Sequence, residues 1–439
     1  MKLAYFSPLP PQRTGIADYS VELLPALMRR AEVDLWIDQA VAVEALPDCK
    51  VFNYVDRPGL LQQLGGYDAI VYHMGNSPAH RNIFPVLLAY PGIVVLHDFV
   101  LHHFLAGYYI ESLRTPASYV EEMGYNYGSD GEEMARRVLK NGTRILEPDI
   151  LRYPLNKRVL DHARGLIVHS EFAAGLVHKS HSHVPVAKVN LPVLIDDRTP
   201  DMAELRQRYQ IPRDHVVVGS MGSANHAKRT DFILSAIAAL GRKDVIYLLV
   251  GEMGASFRRQ IGRSELGDLV RVTGYVDAKS FNDYCNLIDV GIDLRNQTMG
   301  ESSATVCRIL AAGKPCVISN FGWFAEIPND CAVKVDAAAD QQTLTRRISE
   351  LIADQRLRRN IGESARKYIQ ENHGVERAAG AYVEFLGQVR NLDRRRRVER
   401  AIVDETGRAM AELGVGEGDD WLIGGMAEEI VALFRPQRQ

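Results

Sequence analysis

His215-Val216-Val217-Val218-Gly219-Ser220-Met221-Gly222-Ser223-Ala224-Asn225-His226-Ala227-Lys228-Arg229 sets a short β-branched run against a loop of small residues that closes on a cation. The residues that follow, 231–240, are spaced as a helix, and 245–250 reads as a second strand ending on Gly251. Strand, glycine-bearing loop, helix and strand make one βαβ unit, whose repetition predicts a parallel sheet. Downstream the alternation continues with helix 257–266, strand 269–275, helix 280–287, strand 290–294, helix 304–312 and strand 316–319. Upstream it begins at once, with strand 3–7, helix 18–30 and strands at 33–37, 69–72, 93–97 and 166–169. Ile93-Val94-Val95-Leu96 and Leu166-Ile167-Val168 are apolar throughout, as in strands covered on both faces. The fold class is therefore α/β, with two Rossmann-like parallel-sheet domains. The first is expected over 1–194 and the second over 195–375, joined at Leu191-Pro192-Val193-Leu194. A helical insertion is expected at 118–146. Helical spacing at 351–370 closes the second domain, 378–389 begins the trailing helices of 376–439, and a crossing back to the first domain is among the expectations.

Composition agrees with this division. At 439 residues the chain exceeds what one hydrophobic core usually supports. Hydrophobic residues are 46% and charged residues 24%, which excludes a disordered or collagenous chain. A net charge of -3 gives nucleic acid no claim as the main partner. The five cysteines (Cys49, Cys285, Cys307, Cys316, Cys331) are odd in number and form no C-x-x-C pair, so neither a disulfide framework nor a zinc site is expected. The first residues read as a strand rather than as an export signal, and no apolar run reaches the ~18 residues of a membrane span. The expected location is the cytoplasm, with any membrane contact peripheral and at the inner face. Arg394-Arg395-Arg396-Arg397-Val398-Glu399-Arg400 reads first as a solvated helix face and second as a patch for anionic lipid head groups.

In paired parallel-sheet domains, ligands sit at the carboxyl ends of the strands. After the first strand, Pro8-Leu9-Pro10-Pro11-Gln12-Arg13-Thr14-Gly15-Ile16-Ala17-Asp18-Tyr19-Ser20 places Gly15 before a helix, where the backbone can approach an anion. The same residues also make a plain strand-to-helix turn capped by Asp18. The loop is not G-x-G-x-x-G, which disfavours a nicotinamide enzyme. His97-Asp98 stands at the mouth of a buried strand, with His102 and His103 just beyond, and Tyr72-His73-Met74-Gly75-Asn76-Ser77 repeats the arrangement. In the second half, Gly222, Ser223 and Lys228 suit a diphosphate, although an ordinary polar loop with a surface lysine reads the same. Gly300-Glu301-Ser302-Ser303-Ala304-Thr305-Val306-Cys307-Arg308 is the densest cluster. Its serines are also ordinary helix caps, and Arg308 is also a surface pairing residue.

These residues resemble the retaining glycosyltransferases of the GT-B fold, family 4. The opening Phe6-Ser7-Pro8-Leu9-Pro10-Pro11 through Gly15-Ile16-Ala17-Asp18-Tyr19-Ser20 is similar to bacterial members that build mannose- or rhamnose-containing surface polysaccharides. So are Gly75-Asn76-Ser77-Pro78, Leu96-His97-Asp98, Val168-His169-Ser170-Glu171, Ala312-Gly313-Lys314-Pro315 and Phe321-Gly322-Trp323-Phe324-Ala325-Glu326-Ile327-Pro328. The resemblance implies two domains facing across a cleft, with trailing helices. It implies Lys228 at the diphosphate, Glu301, Ser302 and Ser303 at the donor sugar and distal phosphate, Gly15 near that phosphate and His97 near the sugar. With the loop residues read above, the expected catalytic residues are His97, Glu301 and Lys228, and the expected donor site is Gly15, Gly222, Ser223, Lys228, Glu301, Ser302, Ser303 and Arg308. Asp18, Tyr19, Asn76, Asp98 and His102 would lie on the acceptor side. No cofactor and no metal are implied: a nucleotide-diphosphate sugar, GDP-linked by the resemblance, is co-substrate to a saccharide or lipid-linked saccharide acceptor. Two departures stand out. The family's E-x7-E spacing falls on Gly300 and Arg308, with Glu301 one place late, and the arginine usual before the diphosphate lysine is missing. Arg308 is a candidate for that missing charge. The rival readings are a nucleotide-sugar epimerase or sugar phosphorylase on the same fold, and a non-catalytic partner subunit.

Overall fold

In the computed structural model, the described residues are all but 39–48, 142–148, 196–199, 263–265, 268, 416–417 and 434–439. They contain two all-parallel sheets within one compact unit, residues 1–382. The first sheet is built from β1 (Lys2–Phe6), β2 (Glu32–Ile37), β3 (Val51–Asn53), β4 (Ala69–Met74), β5 (Ile93–Leu96), β6 (Gly165–Val168) and β7 (Val186–Lys188). Its spatial order is β3-β2-β1-β4-β5-β6-β7. Leu3 lies in register with Val33 on one side and Ala69 on the other. The second sheet uses β8 (Val216–Met221), β9 (Val245–Val250), β10 (Val270–Val272), β11 (Val290–Asp293), β12 (Cys316–Ser319) and β13 (Val333–Val335), in the order β10-β9-β8-β11-β12-β13. In both sheets the order reverses at the strand that comes first in sequence, at β1/β4 and at β8/β11. Loops leaving those strands diverge there and open a crevice.

The helices that connect the first sheet are α1 (Gly15–Met28), α2 (Ile83–Ala89), α3 (His102–Ala106), α4 (Pro116–Asn141), α5 (Lys157–His162) and α6 (Glu171–Ser180). α1 begins at Gly15 and not at Asp18, because Thr14 takes the cap and accepts from Ala17 N at 3.0 Å. Asp18 sits instead in the first helical turn. A π-helical turn, Gly107–Ser112, follows α3. The inserted helix is interrupted at Gly128, whose φ is +65°, and the expected extension through 142–146 lies outside the described residues. The core beneath is aromatic: Phe6, Trp36, Tyr72, Phe84, Phe104 and Tyr119 are all buried in one cluster.

The second sheet is covered by α7 (Met202–Arg208), α8 (Thr230–Ala239), α9 (Ala255–Gly262), α10 (Ala278–Leu287), α11 (Ala304–Ala311), α12 (Gln341–Ala353) and α13 (Gln355–Asn372). Val218, Tyr247, Leu249, Ile292, Leu344 and Ile348 form its core. Helical spacing across 351–370 is split in two because Asp354 caps α13 by accepting from Leu357 N at 2.9 Å. The chain then returns to the first sheet. Val193 N donates to His373 O at 2.9 Å, Tyr382 hydrogen-bonds Tyr19 through the two hydroxyls, and Glu376 pairs with Arg29 and Arg30. The residues from 375 on form one helix, α14 (Val375–Glu412), and the arginine run lies on it. The second unit, 383–439, holds the rest of α14 and α15 (Asp420–Leu433), and its Leu413 and Trp421 are exposed. Cys285, Cys307, Cys316 and Cys331 are buried thiols, and no helix among the described residues is long and apolar enough to cross a membrane.

Candidate functional site

Between the two sheets lies a cleft of about 490 Å³. Arg13, Gly15, Asp18, Tyr19 and Glu22 line it from the first sheet's side, and Gly222, Ser223, Gly251, Tyr275, Phe281 and Arg308 from the second. A Cβ at Gly15 would meet nothing within 4 Å, so the first turn of α1 presents open backbone. Opposite, the second-sheet wall is tight. Gly222 has φ +85°, and a methyl there would lie 2.6 Å from Lys228 Nζ. Gly251 has φ +151°, and a methyl there would lie 2.4 Å from Gly222 O. Both positions require glycine for close approach and for backbone conformation.

Lys228 is placed by local geometry. Asn225 accepts from Lys228 N at 2.9 Å and closes a 3₁₀ turn, and Arg229 follows in the left-handed region at φ +51°. The ammonium donates to Met221 O at 2.8 Å. Burial pushes its pKa down to about 8, with Arg295 acting in the same direction and Asp293 and Glu301 opposing. Arg295 pairs with Asp293 and stands 3.5 Å from Glu301 Oε1 through Nε. Asp293, which is buried, also accepts from Ser303 Oγ at 3.0 Å. Two cations and two carboxylates thus converge where the loops of β8 and β11 separate. Asp293 and Arg295 were missed by reading the sequence, although Asp293-Leu294-Arg295 ends a strand in the same way as His97-Asp98.

The displaced glutamate has a steric cause. Gly300 has φ +81° and packs against the first sheet's Phe99, where a Cβ would come within 2.4 Å of the phenylalanine Cβ. No glutamate fits at 300. Glu301 turns back instead, accepting from Met299 N at 2.6 Å and from Thr298 Oγ1 at 3.0 Å. Ser303 caps α11 and Ser302 Oγ donates to His169 O at 3.2 Å, so both hydroxyls are spent within the protein. What α11 offers the cleft is its first turn, where Ala304 and Thr305 line the wall and helix amides lack intrahelical acceptors. Arg308 forms an ion pair with Glu22 across the cleft, close to Asp18. Its charge is already matched, and the second cation beside Lys228 is Arg295.

On the other wall, His97 Nε2 lies 2.9 Å from His73 Nδ1, and Tyr19 meets the His97 ring edge-on at 4.8 Å. Burial and the neighbouring imidazoles hold His97 well below the usual histidine range, hence neutral. Burial pushes Asp98 up to about 7. A hydrogen bond from Asn76 N at 2.8 Å opposes this, and Glu301 across the cleft adds to it. The expected acceptor-side residues do not form one surface. Asp18 and Tyr19 line the cleft just described, while Asn76 and His102 border a second cavity of about 620 Å³ with His103, Ile110 and Met299. Tyr19 spends its hydroxyl on Tyr382. His102 spends both ring nitrogens, donating to Tyr153 O at 2.7 Å and meeting Tyr119 OH at 2.9 Å, and is held near 4 by burial. Asn76 is a strut, accepting from Phe104 N at 2.9 Å. Among the described residues no cluster of histidine, cysteine or carboxylate side chains could hold a metal ion.

Further bonds tie the two walls together. Val100 N donates to Met299 O at 2.9 Å, and Arg13 stacks over the Tyr275 ring at 4.2 Å. Glu326 accepts from Glu171 N at 3.0 Å and Phe172 N at 2.7 Å, sealing the start of α6.

Residues 201–368 match the family model described as glycosyl transferases group 1. No curated protein matches the chain. Among solved structures, sucrose-phosphate synthase from Thermosynechococcus elongatus is similar at 17% identity and TM-score 0.64, over 89% of this chain and 99% of that one. HepE from Anabaena, solved in complex with UDP-glucose, is similar at 16% identity and TM-score 0.64, over 88% and 100%. WaaG, a glycosyltransferase involved in lipopolysaccharide biosynthesis, is similar at 14% identity and TM-score 0.57, over 86% and 98%. At these identities the likeness is one of fold, and the fold is GT-B.

Proposed function

We propose that the protein is a glycosyltransferase that moves a hexose from a nucleotide-diphosphate sugar to a hydroxyl of a saccharide or lipid-linked saccharide, with retention at the anomeric carbon. The observation that carries this reading is a charge cluster behind Gly222 on the second-sheet wall of the cleft, with Glu301 facing Asp98 at the end of the first sheet's β5. Lys228, Arg295 and the start of α11 supply positive charge, while His97 and Asp98 stand on the facing sheet. The family match over 201–368 covers the charged wall and supports the same reading.

In this mechanism the diphosphate lies along Gly222, Ser223 and the first turn of α11, with Lys228 opposite its developing negative charge. Prealigned donors of this kind supply the largest part of many rate enhancements. The set needs no divalent metal, so transfer should survive chelation. No side chain is placed as a nucleophile. The acceptor hydroxyl attacks from the face the leaving group vacates, the bond from carbon to the diphosphate oxygen breaks, and the departing phosphate takes the hydroxyl proton. Glu301 holds the loop that meets the sugar. Arg13 and Tyr275 line the cleft as a stacked pair and suit a nucleoside. The resemblance to mannose- and rhamnose-polysaccharide enzymes favours a GDP-sugar; the likeness to a structure holding UDP-glucose favours a UDP-sugar as the second reading. The reaction belongs in the cytoplasm on this reading, and contact with the inner membrane face is its second form.

A thermal-shift panel of UDP, GDP, dTDP and ADP, each alone and as its sugar conjugates, tests the reading, because a ligand of the native state raises its stability by mass action. Selective stabilisation by one nucleotide, lost in Lys228→Ala, followed by sugar transfer in the presence of chelator, is expected. The glycine at 300 and the arginine at 308 favour a non-catalytic binding subunit as the rival. Tight nucleotide binding with no transfer from any donor would establish that rival, and an epimerised nucleotide sugar formed without acceptor would establish an epimerase.

A further inference from the structure

His73 on β4 and His97 at the end of β5 are adjacent in the sheet. His73 lies in register with Val95, and His97 N donates to Met74 O at 2.9 Å. Their rings share one hydrogen bond, 2.9 Å from His73 Nδ1 to His97 Nε2. Burial holds both imidazoles neutral, so each ring carries one proton and one of the two must donate. The other end of His73 decides which. His73 Nε2 is buried and has no partner. Were His97 the donor, His73 would carry its proton on Nε2 and seal an unpaired N–H in the core. Orphaned buried N–H groups are rare, while under-satisfied acceptors are better tolerated. Two neighbouring rings obey this rule where the partner leaves no choice. His169 must donate Nδ1–H to Val189 O at 2.8 Å and His373 must donate Nδ1–H to Leu191 O at 2.8 Å, and each leaves Nε2 as the bare, buried atom.

We propose that His73 fixes His97 as its Nδ1–H tautomer, so that the imidazole at the cleft meets its ligand as a hydrogen-bond donor and not as a base. No described residue pairs with His97 Nδ1. His73 is then a positioning residue: it touches no ligand and determines which nitrogen of His97 bears the proton. The consequence for catalysis rests on the proposed transfer reaction, in which His97 donates to a sugar oxygen. The tautomer itself does not depend on that reaction.

Long-range proton–nitrogen correlation spectra of the full chain labelled in its histidine rings separate protonated from bare ring nitrogens. Wild-type protein at neutral pH should show His97 with Nδ1 protonated and Nε2 bare, and His73→Leu should show a mixture of tautomers. In the transfer assay, His73→Leu should lower kcat about tenfold, the worth of one misdirected hydrogen bond, with the donor KM nearly unchanged. A wild-type spectrum with Nε2 of His97 protonated overturns the proposal whether or not the variant folds. So does a folded His73→Leu with an unchanged His97 spectrum. The expected tautomer in a protein that transfers no sugar would uphold this assignment and refute the proposed reaction alone.

Discussion

Lys228 links nucleotide affinity to pH in a direction the structure fixes. In the unliganded protein its ammonium sits near 8, against 10.5 in the open chain, because burial opposes its charge. Phosphate oxygens beside it restore the charged form, so between those values the complex binds a proton that the free protein lacks. Affinity must then fall as pH rises. From about pH 7.5 to 9 the protonated fraction of the free lysine drops from roughly three quarters to about a tenth, which weakens binding about eightfold, or about 1.3 kcal/mol. The unfolded chain also holds that proton, so the unliganded protein should gain stability from this group across the same window as its nucleotide affinity declines. Isothermal titration calorimetry with the selected nucleotide diphosphate, run at several pH values and in two buffers of different ionisation enthalpy, reads both the slope and the proton uptake. Lys228→Arg keeps its charge throughout and should bind with a flat profile. Lys228→Met should bind weakly and also flatly. A flat wild-type profile, or the same slope in Lys228→Met, refutes the assignment of the lysine to the diphosphate.

Asp98 gives the opposite dependence. Its folded value of about 7 exceeds the ordinary 3.8, so its contribution to stability is present below that lower value and is lost as pH rises through about 7. Asp98→Asn should flatten the fall in melting temperature between those limits, and parallel curves for the two proteins would contradict it. Arg308→Ala leaves Glu22 unpaired in the cleft wall and should cost about 2–3 kcal/mol in urea unfolding, below the value for a fully sealed pair because some exposure remains. Most of that loss should return in the Glu22→Leu/Arg308→Met double variant, and a double variant as unstable as the single one would show that the pair is not the cause. Gly222→Ala should cost about 1–2 kcal/mol for its backbone conformation, and Gly251→Ala more, since its obstruction is main chain. Equal losses in urea unfolding would speak against the packing argument.

The inner strands β5 and β6 were legible because they are buried on both faces and carry no polar interruption. β5 and β6 are apolar at every position, and the helices between strands announce themselves by spacing and caps. The edge strands β3, β7 and β13 went unread. Each has three residues, too short a run for alternation or a continuous apolar stretch to register. The site was legible where it follows a strand, which is why Gly222, Lys228, His97 and Asp98 could be singled out from sequence. What spacing could not reveal was partnership across the cleft. Nothing near Arg308 in the sequence points to Glu22, and nothing near Gly300 points to Phe99. His102 and Tyr19 carry the right chemistry for a ligand, yet the fold uses their polar atoms internally, a distinction decided by Tyr119, Tyr153 and Tyr382.

The back-to-back glycines at the ends of β8 and β9 limit how this sequence can change. At 251 the obstruction is the peptide of 222 itself, so no second substitution elsewhere can clear it, and at 222 the obstruction is the ammonium that the proposed reaction needs. The two positions therefore act as one character with a single permitted state. A library randomised at both and selected for nucleotide binding should return glycine twice. At Gly15, where a methyl meets no protein atom within 4 Å, a selection for folding stability alone should return a spread of small residues.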